Sequence, residues 1–234
     1  MIRTIPTRAV AAIVGAGVLC LAAAAAQVAA ESGGRQPDAK RGAEIAARGT
    51  SHVPACAQCH AFSGASDSSG AFPMIAGQSA YYLAKQMRDF ASSERTNAIM
   101  SPIAKALSPE DSANVAAYYA GNSAQFLPLA TAEAAVVEKG KQLARVGDAT
   151  KGIQACNNCH GPDGAGIPPA IPYLAGQYAQ YIELELRMWK RGFRKSSPES
   201  MALVAKQLDD QEIAAIAAYY QQVPGSATTT ASEQ

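Results

Sequence analysis

Apolar positions in this chain recur at helical spacing, and the same spacing is written twice. Leu83, Met87 and Phe90 stand at i, i+4 and i+7, and Ile182, Leu186 and Trp189 repeat that pattern at an offset of 99 residues. Each set predicts an amphipathic helix, one starting near Ser79 and the other near Tyr178. Charged helical segments over residues 38–48 and 132–145 come earlier in each half, and Gly/Pro-rich loops over 61–73 and 161–172 separate them from the middle helices. A last helix is expected from Ser108 and from Asp209. Ser108-Pro109-Glu110-Asp111 carries the start signal: a serine cap, proline in the first turn and acids at the positive end of the helix dipole. Val115, Tyr118 and Tyr119 give that helix its apolar face at i, i+3 and i+4. No stretch alternates with the period of a strand, so the expected class is all-α.

The repetition runs deeper than periodicity. Gly42 pairs with Gly140 at an offset of 98, and Gly64 pairs with Gly164 at 100. Pro73-Met74-Ile75-Ala76-Gly77-Gln78 pairs with Pro172-Tyr173-Leu174-Ala175-Gly176-Gln177 at 99, and Tyr118-Tyr119 with Tyr219-Tyr220 at 101. This drift is what one unit copied once leaves behind. The expected organisation is a first domain over 31–122, a linker over 123–132, a second domain over 133–224 and a disordered tail over 225–234. Units this small are short of core unless something large is buried in them.

Composition narrows the function classes. The formal charge is +1, so no bulk attraction to nucleic acid is implied. Residues 1–30 read as a Sec-type secretory leader, with Arg3 and Arg8 before an uncharged apolar run and Val28-Ala29-Ala30 as the cleavage site. The competing reading is a leader kept as a membrane anchor, because about 20 apolar residues span a bilayer. Removal of the leader takes away Arg3 and Arg8 and leaves 18 basic against 19 acidic side chains. The expected location is the periplasm, with membrane association depending on the fate of the leader.

The leader also holds Cys20; the remaining four cysteines lie in Cys56-Ala57-Gln58-Cys59-His60 and Cys156-Asn157-Asn158-Cys159-His160. C-x-x-C-H is the attachment signature of a c-type haem. Two thiols form thioethers to the vinyl groups, and the adjoining histidine reaches the iron. A four-thiolate zinc site would leave His60 and His160 idle and would span far more sequence than a zinc ribbon does. A thioredoxin-like pair lacks its βαβ context. Two motifs predict two covalently bound haem c groups. For the opposite axial position, duplication selects among the methionines. Met74 faces Tyr173, Met87 faces Leu186 and Met188 faces Asp89, whereas Met100 and Met201 face each other. The expected iron ligands are therefore His60, Met100, His160 and Met201, with both methionines on loops before the last helix. Met87 is read as core filler and Met74 as packing near the haem. His52 is read as a surface residue.

With these motifs in place the chain resembles the dihaem cytochromes c of the cytochrome c4 family, over nearly all of residues 38–223. The resemblance implies two tandem class I cytochrome c domains, related by a pseudo-twofold axis, with haems facing across their interface. It implies that the carbonyls of Pro73 and Pro172 accept a hydrogen bond from the histidine Nδ1 groups. It also implies that Gly42 and Gly140 allow close helix crossing against Tyr118 and Tyr219. The expected function is electron carriage from a quinol-oxidising (bc1-type) complex or a dehydrogenase to a terminal oxidase, with no catalysis of its own. The alternative is the cytochrome subunit of a flavocytochrome sulfide dehydrogenase or another dehydrogenase complex. Lys190, Arg191, Arg194 and Lys195 form a local basic cluster. It is read either as a solvated face or partner of haem propionates, or as a landing site for an acidic redox partner.

Overall fold

The structure is a computed structural model that describes residues 35–66, 69–124, 132–197 and 199–224. The leader, residues 125–131 of the linker and the tail lie outside the described residues. Among those described, the chain is helical and contains no strand, with isolated bridges as the sole β pairing. The first repeat runs α1 (Ala39–Arg48), α2 (Ala57–His60), α3 (Ala80–Ser92), α4 (Met100–Ala106) and α5 (Pro109–Ala120). The second repeats this order as α6 (Ala134–Arg145), α7 (Asn157–His160), α8 (Ala179–Lys190), α9 (Met201–Gln207) and α10 (Asp210–Gln222). No described helix is long and apolar enough to cross a membrane.

Local chemistry sets the helix ends. Ser108 Oγ accepts from Asp111 N at 2.9 Å, with Pro109 in the first turn of α5. At α10, Asp209 and Glu212 form a reciprocal capping box, each carboxylate accepting from the other's backbone N–H at 2.8 Å. Asp38 caps α1 by accepting from Lys40 N and Arg41 N.

In each repeat the first and last helices cross at a glycine. A Cβ on Gly42 would sit 2.0 Å from the Asn114 carbonyl oxygen, and one on Gly140 would sit 1.9 Å from that of Ala215. Both would also press on the Cβ of Tyr118 or Tyr219. The backbones touch, so no side chain fits there. Ile45, Val53, Leu107, Val115 and Tyr119 form the first core; Leu143, Ile182, Leu186, Trp189, Leu208, Ile213 and Tyr220 are central to the second.

The repeats meet along a buried seam whose contacts come in reciprocal pairs, the mark of an approximate twofold. Arg95 and Arg194 face each other in an antiparallel bridge. Arg95 donates to Gln86 Oε1 (2.9 Å), to the Tyr181 hydroxyl (2.8 Å) and to Glu185. Arg194 donates to Glu185 Oε2 (2.7 Å), Gln86 Oε1 (2.8 Å) and the Tyr82 hydroxyl (3.2 Å). Each guanidinium also stacks on its own repeat's aromatic ring, Arg95 at 4.4 Å from Phe90 and Arg194 at 3.7 Å from Trp189.

Candidate haem-binding site

Each C-x-x-C-H stretch folds as a single helical turn, α2 or α7, that puts its histidine inside. Both imidazoles are buried. His60 Nδ1 lies 3.0 Å from the Pro73 carbonyl oxygen, and His160 Nδ1 lies 2.9 Å from that of Pro172. A carbonyl only accepts, so Nδ1 carries the proton and Nε2 the lone pair. That is the tautomer a metal-binding imidazole needs, with its other nitrogen held by an outer partner. Burial lowers the pKa of His160, against the opposing pull of the Pro172 carbonyl, and so favours the neutral ring. The loops are tied to the motif at a second point. Ser66 N donates to His60 O at 2.8 Å, and Gly166 N donates to His160 O at 2.7 Å.

Cys56 and Cys156 pack against the two cores. Burial raises the pKa of the Cys56 thiol and pushes that of Cys156 up to about 11. A redox-active C-x-x-C pair needs the opposite shift, toward thiolate. None of Cys56, Cys59, Cys156 and Cys159 is tied up in a disulfide. Among the described residues no three His, Cys, Asp or Glu side chains gather as a metal cluster, so the two C-x-x-C pairs do not converge. A haem fits the donor set: two adjacent unpaired thiols on one helical turn, next to an oriented neutral imidazole.

Met100 and Met201 each form the first residue of a short helix, α4 and α9, rather than a loop position. Both are half-buried. Met201 packs on the second core together with Cys156 and Leu174. Asn97 fixes the start of α4, since its Oδ1 accepts from Ile99 N (2.8 Å) and Met100 N (2.9 Å). Met87 packs against the first core. Met74 is buried at the seam with Ala76, Ala124 and Tyr178. His52 is exposed.

The basic cluster does not act as one surface. Arg194 is buried in the seam, and Lys190 Nζ donates to the Leu208 carbonyl oxygen. Lys190, Arg191 and Lys195 are exposed. Arg194 Nε and the neighbouring Ser196 Oγ are buried without a hydrogen-bond partner. Apart from Arg194, read as part of the basic cluster, the groups around the two seam arginines were not singled out from sequence, although a signal existed. Arg95 and Arg194 align at the same offset of 99 as Tyr82 with Tyr181 and Gln86 with Glu185.

Comparison with known proteins fits this geometry. Residues 137–224 match the family model for cytochrome c. The chain is 38% identical to a thiosulfate dehydrogenase electron acceptor of Thiomonas intermedia, over 76% of this chain and 82% of that protein. It is 36% identical to cytochrome c4 of Pseudomonas aeruginosa, over 75% of this chain and 87% of that protein. The crystal structure of reduced recombinant cytochrome c4 from Pseudomonas stutzeri superposes with a TM-score of 0.69 at 29% identity, covering 80% of this chain and 99% of that one. A repeated C-x-x-C-H turn, a histidine held by a proline carbonyl and likeness across both repeats lead to one conclusion: the chain belongs to the cytochrome c4 family, electron carriers built from tandem class I cytochrome c domains.

Proposed function

We propose that this cytochrome carries two covalent haem c groups, one in each of the domains 31–122 and 133–224, and works as a periplasmic one-electron shuttle. Cys56 and Cys59 hold the first group and Cys156 and Cys159 the second. His60 with Met100, and His160 with Met201, would ligate the two irons. Once bound, each haem supplies a ferric/ferrous couple, and a thioether ligand biases that couple toward ferrous iron. The chain does the rest. The Pro73 and Pro172 carbonyls hold the imidazoles in one tautomer. Asn97 positions the turn that presents Met100. Arg194 and Ser196 offer buried donors for a carboxylate at the edge of the second core. With a histidine and a methionine of this chain committed to each iron, no ligand position would be left for substrate, which suits carriage rather than catalysis.

The observation that carries this reading is the pair of matched histidine–proline hydrogen bonds, one in each repeat. A pyridine haemochrome assay of the exported protein is expected to give two haems per chain. The oxidised protein is expected to show the far-red methionine-to-iron charge-transfer band. Met100→Ala and Met201→Ala should each remove about half of that band, the share of one haem in two. A band untouched by both variants would overturn the ligand assignment.

On the reading preferred here, electrons enter from a dehydrogenase, or from a quinol-oxidising complex, and leave to a terminal oxidase. The dehydrogenase branch is supported by the relative named as the electron acceptor of a thiosulfate dehydrogenase. A second reading, as the cytochrome subunit of a flavocytochrome sulfide dehydrogenase or similar complex, draws on the same likeness. Stopped-flow mixing separates the two. A free carrier oxidises a reduced dehydrogenase with second-order kinetics, whereas a subunit co-purifies with its flavoprotein and shows no dependence on added cytochrome.

A further inference from the structure

The carbonyl that orients each histidine lies one residue from a backbone amide clamped by the opposite repeat. Pro73 accepts from His60, and the next residue, Met74, is bracketed by Gln177 of the second repeat. Gln177 Oε1 accepts from Met74 N at 2.9 Å while Gln177 Nε2 donates to Met74 O at 2.9 Å. Tyr173 reinforces the same strip, its hydroxyl donating to Ala76 O at 2.8 Å and lying 3.4 Å from Met74 O. The mirror clamp exists but is looser. Gln78 of the first repeat brackets Tyr173, beside Pro172, at 3.3 and 3.4 Å. Met74, which stands where the second repeat has Tyr173, has no hydroxyl to add. Gln78 and Gln177 are both buried, so these bonds do not compete with bulk water.

We propose that Gln177 is a positioning residue acting across the seam: from the second repeat it sets the strength of the His60–Pro73 hydrogen bond, and so tunes the redox centre of the first. The step is electrostatic. A strong bond from Nδ1–H to a fixed carbonyl makes the imidazole a more basic ligand, and that basicity favours ferric iron. Releasing Met74 lets the Pro73 carbonyl drift, weakens the bond and shifts the couple toward ferrous. The coupling is directional. The tight clamp and the tyrosine both act on the first repeat, so loss of Gln177 moves the first centre more than loss of Gln78 moves the second. This rests on His60 being an axial ligand.

The test is Gln177→Ala in the intact two-haem protein, with both midpoints followed by optical redox titration. Solvent exchange of the hyperfine-shifted histidine Nδ1–H protons is read by NMR. The two centres are assigned through Met100→Ala and Met201→Ala. The expected result is a raised midpoint and about tenfold faster Nδ1–H exchange at the first centre, the factor set by ~1.4 kcal/mol of lost hydrogen bonding. The second centre stays where it was. Gln177→Glu keeps the acceptor for Met74 N and should give a smaller shift at the same centre. Tyr173→Phe should act in the same direction and covers the case in which Gln177→Ala does not fold. Equal movement of both centres, or no movement of the first in any of these variants, overturns the proposal. A wild-type protein that lacks a histidine-bound first haem would instead overturn the functional reading, and the haem assay reports that separately.

Discussion

Glu185→Gln is a single-atom change whose cost is fixed by the company the carboxylate keeps. Glu185 bonds both seam guanidinium groups, through Oε1 to Arg95 and through Oε2 to Arg194. All three side chains are buried. An amide at this position keeps one acceptor oxygen and turns an N–H donor toward the other guanidinium. Breaking a buried ion pair by removing one partner costs about 3–5 kcal/mol, because the charge left behind is poorly solvated. Gln86 Oε1 still accepts from both arginines, which places the expected loss at the lower end, about 3 kcal/mol. The pseudo-twofold supplies the control. Gln86 stands where the second repeat has Glu185, so the swap Gln86→Glu with Glu185→Gln returns the acid to the same two arginines from the other side. It should recover the lost stability to within ~1 kcal/mol. Urea unfolding of the haem-loaded protein, followed by far-UV circular dichroism, measures both without the screening that guanidinium adds. A loss below ~1 kcal/mol in the single variant, or a swap as weak as the single variant, would refute the reasoning.

The same carboxylate gives a pH signature. Burial pushes the Glu185 pKa up, but Arg95 and Arg194 outweigh it, so the folded-state value lies below that of an ordinary glutamate. A depressed carboxyl contributes stability that is present above the unfolded-state pKa and lost as pH falls through the lower folded-state value. Glu185→Gln has no such acid limb. The gap between wild type and variant should therefore be full near neutral pH and close on acidification; a gap that widens in acid contradicts the assignment.

Two further tests use the repeat as its own control. Ala61 follows His60 at φ 56 and ψ 161, while the matching residue of the second repeat is Gly161, after His160, at φ 76 and ψ 173. That region is essentially a glycine one, so Ala61→Gly should stabilise by about 1 kcal/mol after the entropy glycine adds to the unfolded chain, and Gly161→Ala should destabilise; thermal melts read the opposite signs. Gly42→Ala and Gly140→Ala should each cost ~2 kcal/mol or more, since a Cβ 2 Å from a backbone carbonyl forces the helices apart and outweighs the better helix propensity of alanine. Loss of native tyrosine packing by near-UV circular dichroism checks the crossing, and an unchanged spectrum and melt would refute it.

What the sequence made legible was whatever each repeat needs for itself. C-x-x-C-H is contiguous, and caps such as Ser108 and Asp209 act on amides three residues away, so local pattern is enough to read them. The histidine–proline bonds span only 12 and 13 residues, and resemblance to a family supplied them. The helices that open at Met100 and Met201 were missed. At seven residues each they are too short to display periodicity, and Pro102 sits inside the first turn of α4. Arg194 was misread for a different reason. Four basic residues within 190–195 look like a solvated face, and its partners Tyr82 and Gln86 lie more than a hundred residues earlier in the chain.

The differences between the copies are more informative than the matches. Gln86 against Glu185 and Met74 against Tyr173 both fall at the seam, where a residue's neighbours belong to the other copy. Two buried arginines share one carboxylate there, so a fully symmetric pair of repeats would carry either two acids or none between them. With none, both guanidinium charges would lie buried against neutral partners, the arrangement that Glu185→Gln recreates. One acid, contributed by one repeat, satisfies both cations while making the copies inequivalent. The tyrosine does the same for the backbone, bracing the first repeat's histidine loop from the second, where the matching Met74 has no hydroxyl to offer in return. Duplication supplied two closely similar repeats; the few seam substitutions are what give His60 and His160 different surroundings.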